Sequence, residues 1–327
     1  MSILVTGAAG FIGFHVAQAL LERGDRVLGI DNLNEYYDVR LKQARLAELH
    51  RFSNFSFTKL DVADREGIFA AIERDKDLRS IIHLAAQAGV RYSLENPYAY
   101  IDANVTGTLV ILEAARRLDK LSAITYASSS SVYGANKKQP FAVVDRVDQP
   151  VSVYAASKRS CELIAQTYSH LYGLPATGLR FFTVYGPWGR PDMAAYLFTR
   201  AILAGEPIKV FNEGRMARDF TYIDDIVMGT IAAHDRPPPA ETDSVPHRIY
   251  NLGNNRPEKL LDFIGIIEQL LGRTAIKELL PLQPGDVPES FANIETSRRD
   301  LGFEPSTTIE VGLARFVEWY KRYHKVN

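Results

Sequence analysis

The first half of the chain alternates short apolar runs with longer segments in which apolar residues recur every three or four positions. The short runs have strand length, and the longer segments have helical periodicity. The predicted strands are residues 3–6, 26–30, 55–59, 80–84, 123–128 and 177–181, and the predicted helices are residues 11–23, 39–49, 65–74, 103–118 and 154–172. This alternation implies right-handed crossovers and a parallel sheet with helices on both faces. We therefore predict an α/β fold, a Rossmann-type doubly wound parallel sheet.

The alternation weakens after the sixth predicted strand. Proline and glycine become frequent, as in residues 186–191, and irregular stretches interrupt the helical ones. We predict an NAD-binding Rossmann domain over residues 1–181 and a smaller C-terminal α/β lobe, mainly substrate-binding, over residues 182–327. The apolar run 249–252 predicts a strand that returns to the first sheet, so a segment near 226–254 would belong to the first domain.

Composition excludes several classes of function. The 327 residues are 46% hydrophobic and 24% charged, which is ordinary for a globular protein. With 38 basic and 39 acidic residues the net charge is -1, so there is no long-range attraction to nucleic acid or to an acidic membrane. One cysteine excludes an intrachain disulfide, and the histidines lack metal-ligand spacing. We expect a cytoplasmic protein without a metal and without a nucleic-acid or membrane partner.

A glycine-rich turn, residues 7–13 (GAAGFIG), joins the first predicted strand to the first helix. At such a junction Gly7 permits the tight turn, Gly10 lets the backbone approach a pyrophosphate, and Gly13 lets helix and strand pack closely. The helix start presents free N–H groups and partial positive charge to the phosphates. Asp31, at the end of the second strand, can accept hydrogen bonds from ribose hydroxyls and would repel a 2′-phosphate. These features predict NAD rather than NADP.

Tyr154 and Lys158 lie four residues apart, on one face of a predicted helix. Tyrosine is a poor base at neutral pH, but an ammonium group one helical turn away favours the phenolate form. Tyr154 can then take a proton from a substrate hydroxyl while the carbon gives hydride to the nicotinamide. The preceding strand ends in residues 127–131 (ASSSS), at the sheet edge where such folds bind ligands. A serine there can donate a hydrogen bond to the developing carbonyl oxygen, so the site predicted is one of hydride transfer.

Five motifs together resemble the extended short-chain dehydrogenase/reductase family of nucleotide-sugar enzymes, and the resemblance covers essentially the whole chain. The motifs are TGAAGFIG (6–13), HLAAQAGV (83–90), SSVYG (130–134), YAASK (154–158) and RDFTYIDD (218–225). Within the family, residues 179–194 and 85–97 are most similar to the 4-epimerases of UDP-hexuronic acids. The resemblance implies an isomerase with a UDP-sugar substrate, tightly bound NAD that is regenerated in each turnover, and a homodimer formed through helices 103–118 and 154–172.

The resemblance also assigns roles to single residues. The predicted catalytic residues are Ser129, Tyr154 and Lys158. The predicted substrate contacts are Ser129, Ser130, Tyr154, Thr183, Arg190 and Arg218. The predicted cofactor contacts are Gly7, Ala9, Gly10, Phe11, Ile12, Gly13, Asp31, Asn32, Asp61, Val62, Leu84, Ala85, Ala86, Asn104, Lys158 and Phe181.

Two arginines of the family grip the nucleotide diphosphate through charge-assisted bonds. Arg218 matches the first. The second, which precedes a PGD motif in the family, is missing, because Gln283 stands before residues 284–286 (PGD). Arg190 is the candidate to replace it.

Three activities of the family share oxidation at carbon 4 and differ in the chemistry of the next step. Dehydratases carry an Asp-Glu pair after the catalytic Ser or Thr, and UDP-glucuronate decarboxylases of the UDP-xylose synthase type place Glu at the second of those positions. This chain has Ser130 and Ser131 there, so the carboxylates for that acid-base chemistry are missing. The expected activity is epimerisation at carbon 4 of a UDP-hexuronic acid, UDP-glucuronate to UDP-galacturonate, through a transient 4-keto sugar.

Other activities stay open on the sequence alone. Decarboxylation of UDP-glucuronate and 4-epimerisation of UDP-glucose or UDP-N-acetylglucosamine are alternatives within the family. A redox-sensing or structural dinucleotide-binding protein is the alternative from another class, and the intact Ser129, Tyr154 and Lys158 disfavour it. A 4-keto uronic acid is a β-keto acid that readily loses carbon dioxide, so we expect hydroxyls and an arginine to hold its carboxylate. The candidates are Ser129, Ser130, Thr183, Arg190 and Arg91.

Overall fold

A computed structural model of the chain describes residues 1–239, 244–283 and 287–326. The strands are β1 Ser2–Thr6, β2 Arg26–Asp31, β3 Phe55–Lys59, β4 Leu78–His83, β5 Ala123–Ser129, β6 Ala176–Phe181, β7 Thr183–Tyr185, β8 Ile208–Phe211, β9 Ala217–Tyr222, β10 His247–Leu252, β11 Pro257–Lys259, β12 Lys277–Leu280 and β13 Glu289–Ser290. The helices are α1 Phe11–Arg23, α2 Val39–Leu49, α3 Arg65–Arg74, α4 Tyr92–Glu95, α5 Pro97–Tyr100, α6 Gly107–Ala115, α7 Val153–Tyr172, α8 Ala194–Ala204, α9 Ile223–Asp235, α10 Leu260–Leu271, α11 Glu295–Leu301 and α12 Ile309–His324. A π-helical turn, Ile101–Thr106, leads into α6, and single 3₁₀ turns occupy Ser130–Tyr133 and Asn212–Gly214.

Seven strands of the described chain form one parallel sheet, in the order β3-β2-β1-β4-β5-β6-β10. The chain order reverses between β1 and β4, and in sheets of this kind ligands bind in the crevice outside the strand ends at that point. The predicted α/β class with a Rossmann-type doubly wound sheet is confirmed. The edge strand β10 comes from beyond the sixth strand of the sheet and pairs with β6 along its whole length.

Two apolar cores cover the two faces of this sheet. One core joins α3, α6 and α7 to the strands through buried residues such as Ile68, Ile111 and Ala165. The other core runs from α1 through α9 to α12, with Leu20 and Phe316 both within it. Because this second core is shared with the C-terminal half, the two halves of the chain pack as one body.

The smaller C-terminal lobe is built around β9. This strand pairs in parallel with β7 and β13 and antiparallel with β11, while β8 and β12 form a separate parallel pair. Phe220 of β9 stacks on Phe263 of α10 with ring centroids 4.1 Å apart. Because β7 directly follows β6, the lobe begins at the C-terminal edge of the large sheet, beside the crevice.

The helix predicted over residues 154–172 begins one residue earlier, and the helix predicted over residues 103–118 differs more. The predicted helix 103–118 is a π-helical turn over Ile101–Thr106 followed by α6, which ends at Ala115. The hydrogen bonds of one side chain explain the difference. Asn104, inside the π-helical turn, is buried and hydrogen-bonds to two other segments of the chain. A π-helical turn often marks such a functional position.

No helix of the described ranges is long and apolar enough to cross a membrane. Within the same ranges, no group of three or more His, Cys, Asp or Glu side chains could hold a metal ion.

Candidate active site

The glycine-rich turn brings the start of α1 against the end of β1. Gly7 has φ +73°, in the left-handed region that glycine adopts at no steric cost, and its carbonyl accepts the Gly10 N–H at 2.8 Å. A Cβ on Gly13 would lie 2.0 Å from the Gly7 carbonyl oxygen, so only glycine fits there. No side chain of the described residues caps the start of α1. The first-turn N–H groups therefore have no intrahelical partner and can bind an anion.

Asp31, the last residue of β2, lines the crevice beside the glycine turn. It is 7% exposed, and its carboxylate accepts the Ala9 N–H at 3.2 Å and the Leu33 N–H at 2.8 Å. Lys42 of α2 lies 4.0 Å away, with its Nζ bonded to the carbonyl and the side chain of Asn34. Asp31 thus holds its own loop and keeps further acceptor capacity towards the crevice, since an ionised carboxylate offers about four acceptor sites.

These groups fit NAD. The close approach at Gly13 and the unpaired amides of α1 suit a pyrophosphate, which needs backbone contact and positive potential. The Asp31 carboxylate suits ribose hydroxyls and opposes a 2′-phosphate. Asn32 donates to Asp61 at 2.8 Å, which orders the neighbouring part of the crevice.

Ser129 and the start of α7 bring the predicted catalytic groups to the crevice. Ser129 ends β5, and its Oγ accepts the Ser131 N–H at 3.2 Å. Helix α7 begins after Ser152, whose side chain accepts the Ala155 N–H at 3.1 Å. This cap places Tyr154 in the first turn and Lys158 one turn later on the same face.

Lys158 is almost fully buried at 4% exposure, and its Nζ donates to the Ala127 carbonyl at 2.9 Å. That bond holds the ammonium group against the end of β5. The Tyr154 ring packs edge-on against Tyr100, with centroids 5.9 Å apart. Contacts within the protein therefore hold both the base candidate and the cation.

Asn104 and His83 are buried residues outside the crevice lining whose hydrogen bonds hold the elements that form the site. Asn104 accepts the Gln87 N–H at 2.8 Å and donates to Ser157 Oγ at 2.9 Å, so it ties the loop after β4 to α7. His83 lies between Thr6 and Thr108. Burial, with a smaller contribution from the Lys158 charge, lowers the pKa of His83 to about 3. His83 is neutral near pH 7, in keeping with a structural role.

Next to β7, the crevice is lined by a hydroxyl and an arginine. Thr183 begins β7, and Arg190 follows in the next loop. The Arg190 guanidinium binds Asp192 twice, with Nε–Oδ1 at 3.0 Å and Nη2–Oδ2 at 2.5 Å. Partial burial acts to raise the pKa of Asp192, but the Arg190 charge holds it below its ordinary value. Tyr36 donates to Asp192 at 3.1 Å, and burial followed by the Asp192 charge raises the pKa of Tyr36 to about 12.

Most of the predicted site residues line this one crevice. They are Gly7, Gly10, Phe11, Ile12, Gly13, Asp31, Asn32, Asp61, Val62, Leu84, Ala85, Ala86, Ser129, Ser130, Tyr154, Lys158, Phe181, Thr183 and Arg190.

Four predicted residues lie elsewhere. Ala9 is fully buried within the glycine turn, and Asn104 is buried outside the crevice lining. Arg218, on β9, donates to the Ala217 and Pro288 carbonyls at 2.9 and 3.0 Å. Arg91 stacks over Phe211, with its Cζ 4.6 Å from the ring centroid. The PGD motif after Gln283 lies outside the described residues.

Sequence reasoning missed several crevice residues in the loop after β2 and the first turn of α2. They are Asn34, Tyr36, Tyr37 and Lys42. Lysine is mostly exposed in proteins, so the residue type alone predicts a solvated side chain for Lys42. A signal was present, because Lys42 and Arg45 share the buried face of α2 with apolar residues. A charged residue on the apolar face of a helix is itself an indication of a site.

Comparisons with known proteins define the class. Residues 3–253 match the NAD dependent epimerase/dehydratase family, and the chain belongs to this family. The predicted membership of the extended short-chain dehydrogenase/reductase enzymes is thereby confirmed.

Several proteins that are similar to the chain are UDP-glucuronate 4-epimerases by name. The chain is 48% identical to the probable UDP-glucuronate 4-epimerase of Rhizobium meliloti (strain 1021), over 99% of this chain and 98% of that protein. It is also 48% identical to UDP-glucuronate 4-epimerase 2 of Arabidopsis thaliana, over 99% of this chain and 77% of that protein. The crystal structure of UDP-glucuronic acid 4-epimerase from Bacillus cereus in complex with UDP-glucuronic acid and NAD is similar, with a TM-score of 0.89 and 34% identity over 99% of this chain and 100% of that one.

We expect Gly13→Ala to lose most of the bound NAD, because the new Cβ collides with the Gly7 carbonyl and displaces the amides of α1. Overpacking of this kind costs about 1–3 kcal/mol, or roughly a five- to 150-fold loss of affinity. The measurement is the NAD(H) released per mole of purified protein. Gly265→Ala in α10 is the matched control, because its Cβ would meet no heavy atom within 4 Å. Equal cofactor content in the two variants would show the prediction to be wrong.

Proposed function

We propose that the protein is an isomerase that interconverts UDP-glucuronate and UDP-galacturonate by epimerisation at carbon 4. One observation carries the proposal: Ser129, Tyr154 and Lys158 share a crevice with Thr183 and Arg190, beside the glycine turn. The names of the relatives, which are UDP-glucuronate 4-epimerases, agree with it. The sequence after Ser129 has serines where dehydratases and decarboxylases carry carboxylates.

The chain's own groups supply the proton chemistry. Tyr154 takes the proton from the 4-hydroxyl of the sugar, and the neighbouring Lys158 ammonium stabilises the phenolate that this requires. The Ser129 Oγ already accepts a hydrogen bond from Ser131, so its own proton is left to donate to the oxygen on carbon 4. When bound, NAD supplies the acceptor and donor of the hydride. Tyr154 then returns its proton to the epimeric product.

The uronate carboxylate needs a firm hold during this sequence. The 4-keto sugar loses carbon dioxide when the bond between carbon 5 and the carboxylate aligns with the carbonyl π-system. We propose that Ser129, Ser130, Thr183 and Arg190 keep it out of that alignment through hydrogen bonds and a charge-assisted pair. Arg190 is already oriented by its two bonds to Asp192, so little order has to be imposed when the substrate binds.

We also propose that the cofactor stays bound between turnovers, because epimerisation involves no net oxidation.

A homodimer through α6 and α7 is part of the same proposal. Both helices, with the turn before α6, carry exposed apolar side chains. They are Ile101 at 46%, Leu109 at 39%, Leu163 at 51% and Leu171 at 59% exposure. A second copy of the chain would bury this apolar patch. The cytoplasmic location stays a prediction.

Incubation with UDP-glucuronate, UDP-glucose and UDP-N-acetylglucosamine in parallel tests the proposal. We expect UDP-galacturonate from the first sugar, without added cofactor, and little turnover of the other two. The neutral sugars lack the carboxylate that Thr183 and Arg190 are proposed to bind, so they gain less binding energy in this site. UDP-xylose or another pentose product would instead indicate a decarboxylase. Turnover of the neutral sugars alone would indicate an epimerase of UDP-glucose type.

Thr183→Val tests the hold on the carboxylate. The change keeps the volume of the side chain but removes its hydroxyl, which is worth about 0.5–1.5 kcal/mol as a hydrogen bond. We expect the ratio of carbon dioxide to UDP-galacturonate to rise by roughly two- to tenfold. Thr58→Val is the matched control, on β3 and outside the residues that line the crevice. A product ratio identical to that of the wild type would remove Thr183 from the assignment.

A further inference from the structure

Arg45 of α2 is a fully buried cation at 0% exposure. Its guanidinium donates to two carbonyls and a hydroxyl rather than to a carboxylate, and its Nε has no hydrogen-bond partner among the described residues. Burial of a charge without a counter-ion is unfavourable, so stability alone does not account for this residue. Arg45 lies between the glycine turn and the loop 187–190, and this position offers another reason for its burial.

The guanidinium joins three separate segments of the chain. Nη1 donates to the Ala9 carbonyl and to the Tyr37 hydroxyl, both at 2.8 Å, and Nη2 donates to the Trp188 carbonyl at 2.5 Å. Ala9 also donates its N–H to Asp31. The two peptide units that flank the Ala9 Cα are therefore both held, one by Asp31 and the other by Arg45.

The third segment carries the substrate arginine. Trp188 has φ +61°, a left-handed conformation that a bulky residue adopts only when its surroundings impose it. Arg45 bonds the carbonyl of this residue, and His15 of α1 bonds the carbonyl of Pro187 at 2.9 Å. Arg190 comes two residues later, at the crevice. These two hydrogen bonds attach the start of the loop 187–190, which ends in Arg190, to α1 and α2.

We propose that Arg45 is a positioning residue that locks the loop 187–190 to the glycine turn and so sets where Arg190 meets the substrate carboxylate. This inference rests on the proposed function, because it takes that carboxylate as the partner of Arg190. The planar fork of the guanidinium is required, since it reaches two carbonyls at once. An ammonium group on a lysine stem reaches only one of them.

Arg45→Met and Arg45→Lys test the proposal, with Arg40→Met as the matched control. Arg40 lies on the same helix, is exposed and pairs only with Asp38 among the described residues. We expect Arg45→Met to raise the KM for UDP-glucuronate by roughly tenfold and to raise the ratio of carbon dioxide to UDP-galacturonate. Arg45→Lys should show smaller changes in the same direction, and Arg40→Met none. The product ratio is counted per turnover, so a lower yield of folded protein does not move it.

A double variant separates positioning from general loosening. If Arg45 acts through Arg190, the product ratio of Arg45→Met in an Arg190→Gln background equals that of Arg190→Gln alone. A full additional increase in that background, or an unchanged ratio in Arg45→Met itself, overturns the proposal.

Cofactor content keeps this test separate from the proposed function. If the wild type does not epimerise UDP-glucuronate, the proposed function fails. The NAD(H) retained by Arg45→Met relative to Arg40→Met then tests whether Arg45 holds the glycine turn in place. Reduced retention supports the attachment of Arg45 to the glycine turn. Equal retention overturns it.

Discussion

The close approach of α1 to the turn that precedes it is the contact on which the site depends. The space between Gly13 and the Gly7 carbonyl admits no Cβ, so the helix can start directly against the end of β1. Its unpaired amides then face the crevice at the point where the strand order reverses. The Asp31 carboxylate accepts the Ala9 N–H of the same turn, which fixes the carboxylate proposed to bind the ribose relative to the amides proposed to bind the pyrophosphate.

Buried charged side chains fix the end of β5, which carries Ser129. Glu162, one turn after Lys158, accepts hydrogen bonds from Ser128 at 2.7 Å and from Arg180 at 2.8 Å. Burial acts to raise the pKa of Glu162, but its bonds to Arg180 hold it below the ordinary value. Removal of one partner of such a pair typically costs about 3–5 kcal/mol. Ser128, the residue next to Ser129, is therefore fixed by an ion pair whose residues do not line the crevice.

The parts of this arrangement that depend on local pattern were predictable. Helices α1, α2 and α3 begin and end where periodicity and turn residues indicate, and Tyr154 and Lys158 share a face because the helical repeat requires it. The rest depends on tertiary contacts. The π-helical turn forms because Asn104 serves two distant segments, and the bond between Tyr36 and Asp192 joins residues far apart in the chain. No periodicity encodes such pairs.

The central claim is that carbon 4 of the sugar loses and regains its own hydrogen within one site. UDP-glucuronate with deuterium on carbon 4, incubated in ordinary water without added cofactor, tests it most directly. The account predicts UDP-galacturonate that retains the deuterium on carbon 4. Product with solvent hydrogen at that carbon, or deuterium recovered in NADH free in solution, would contradict it.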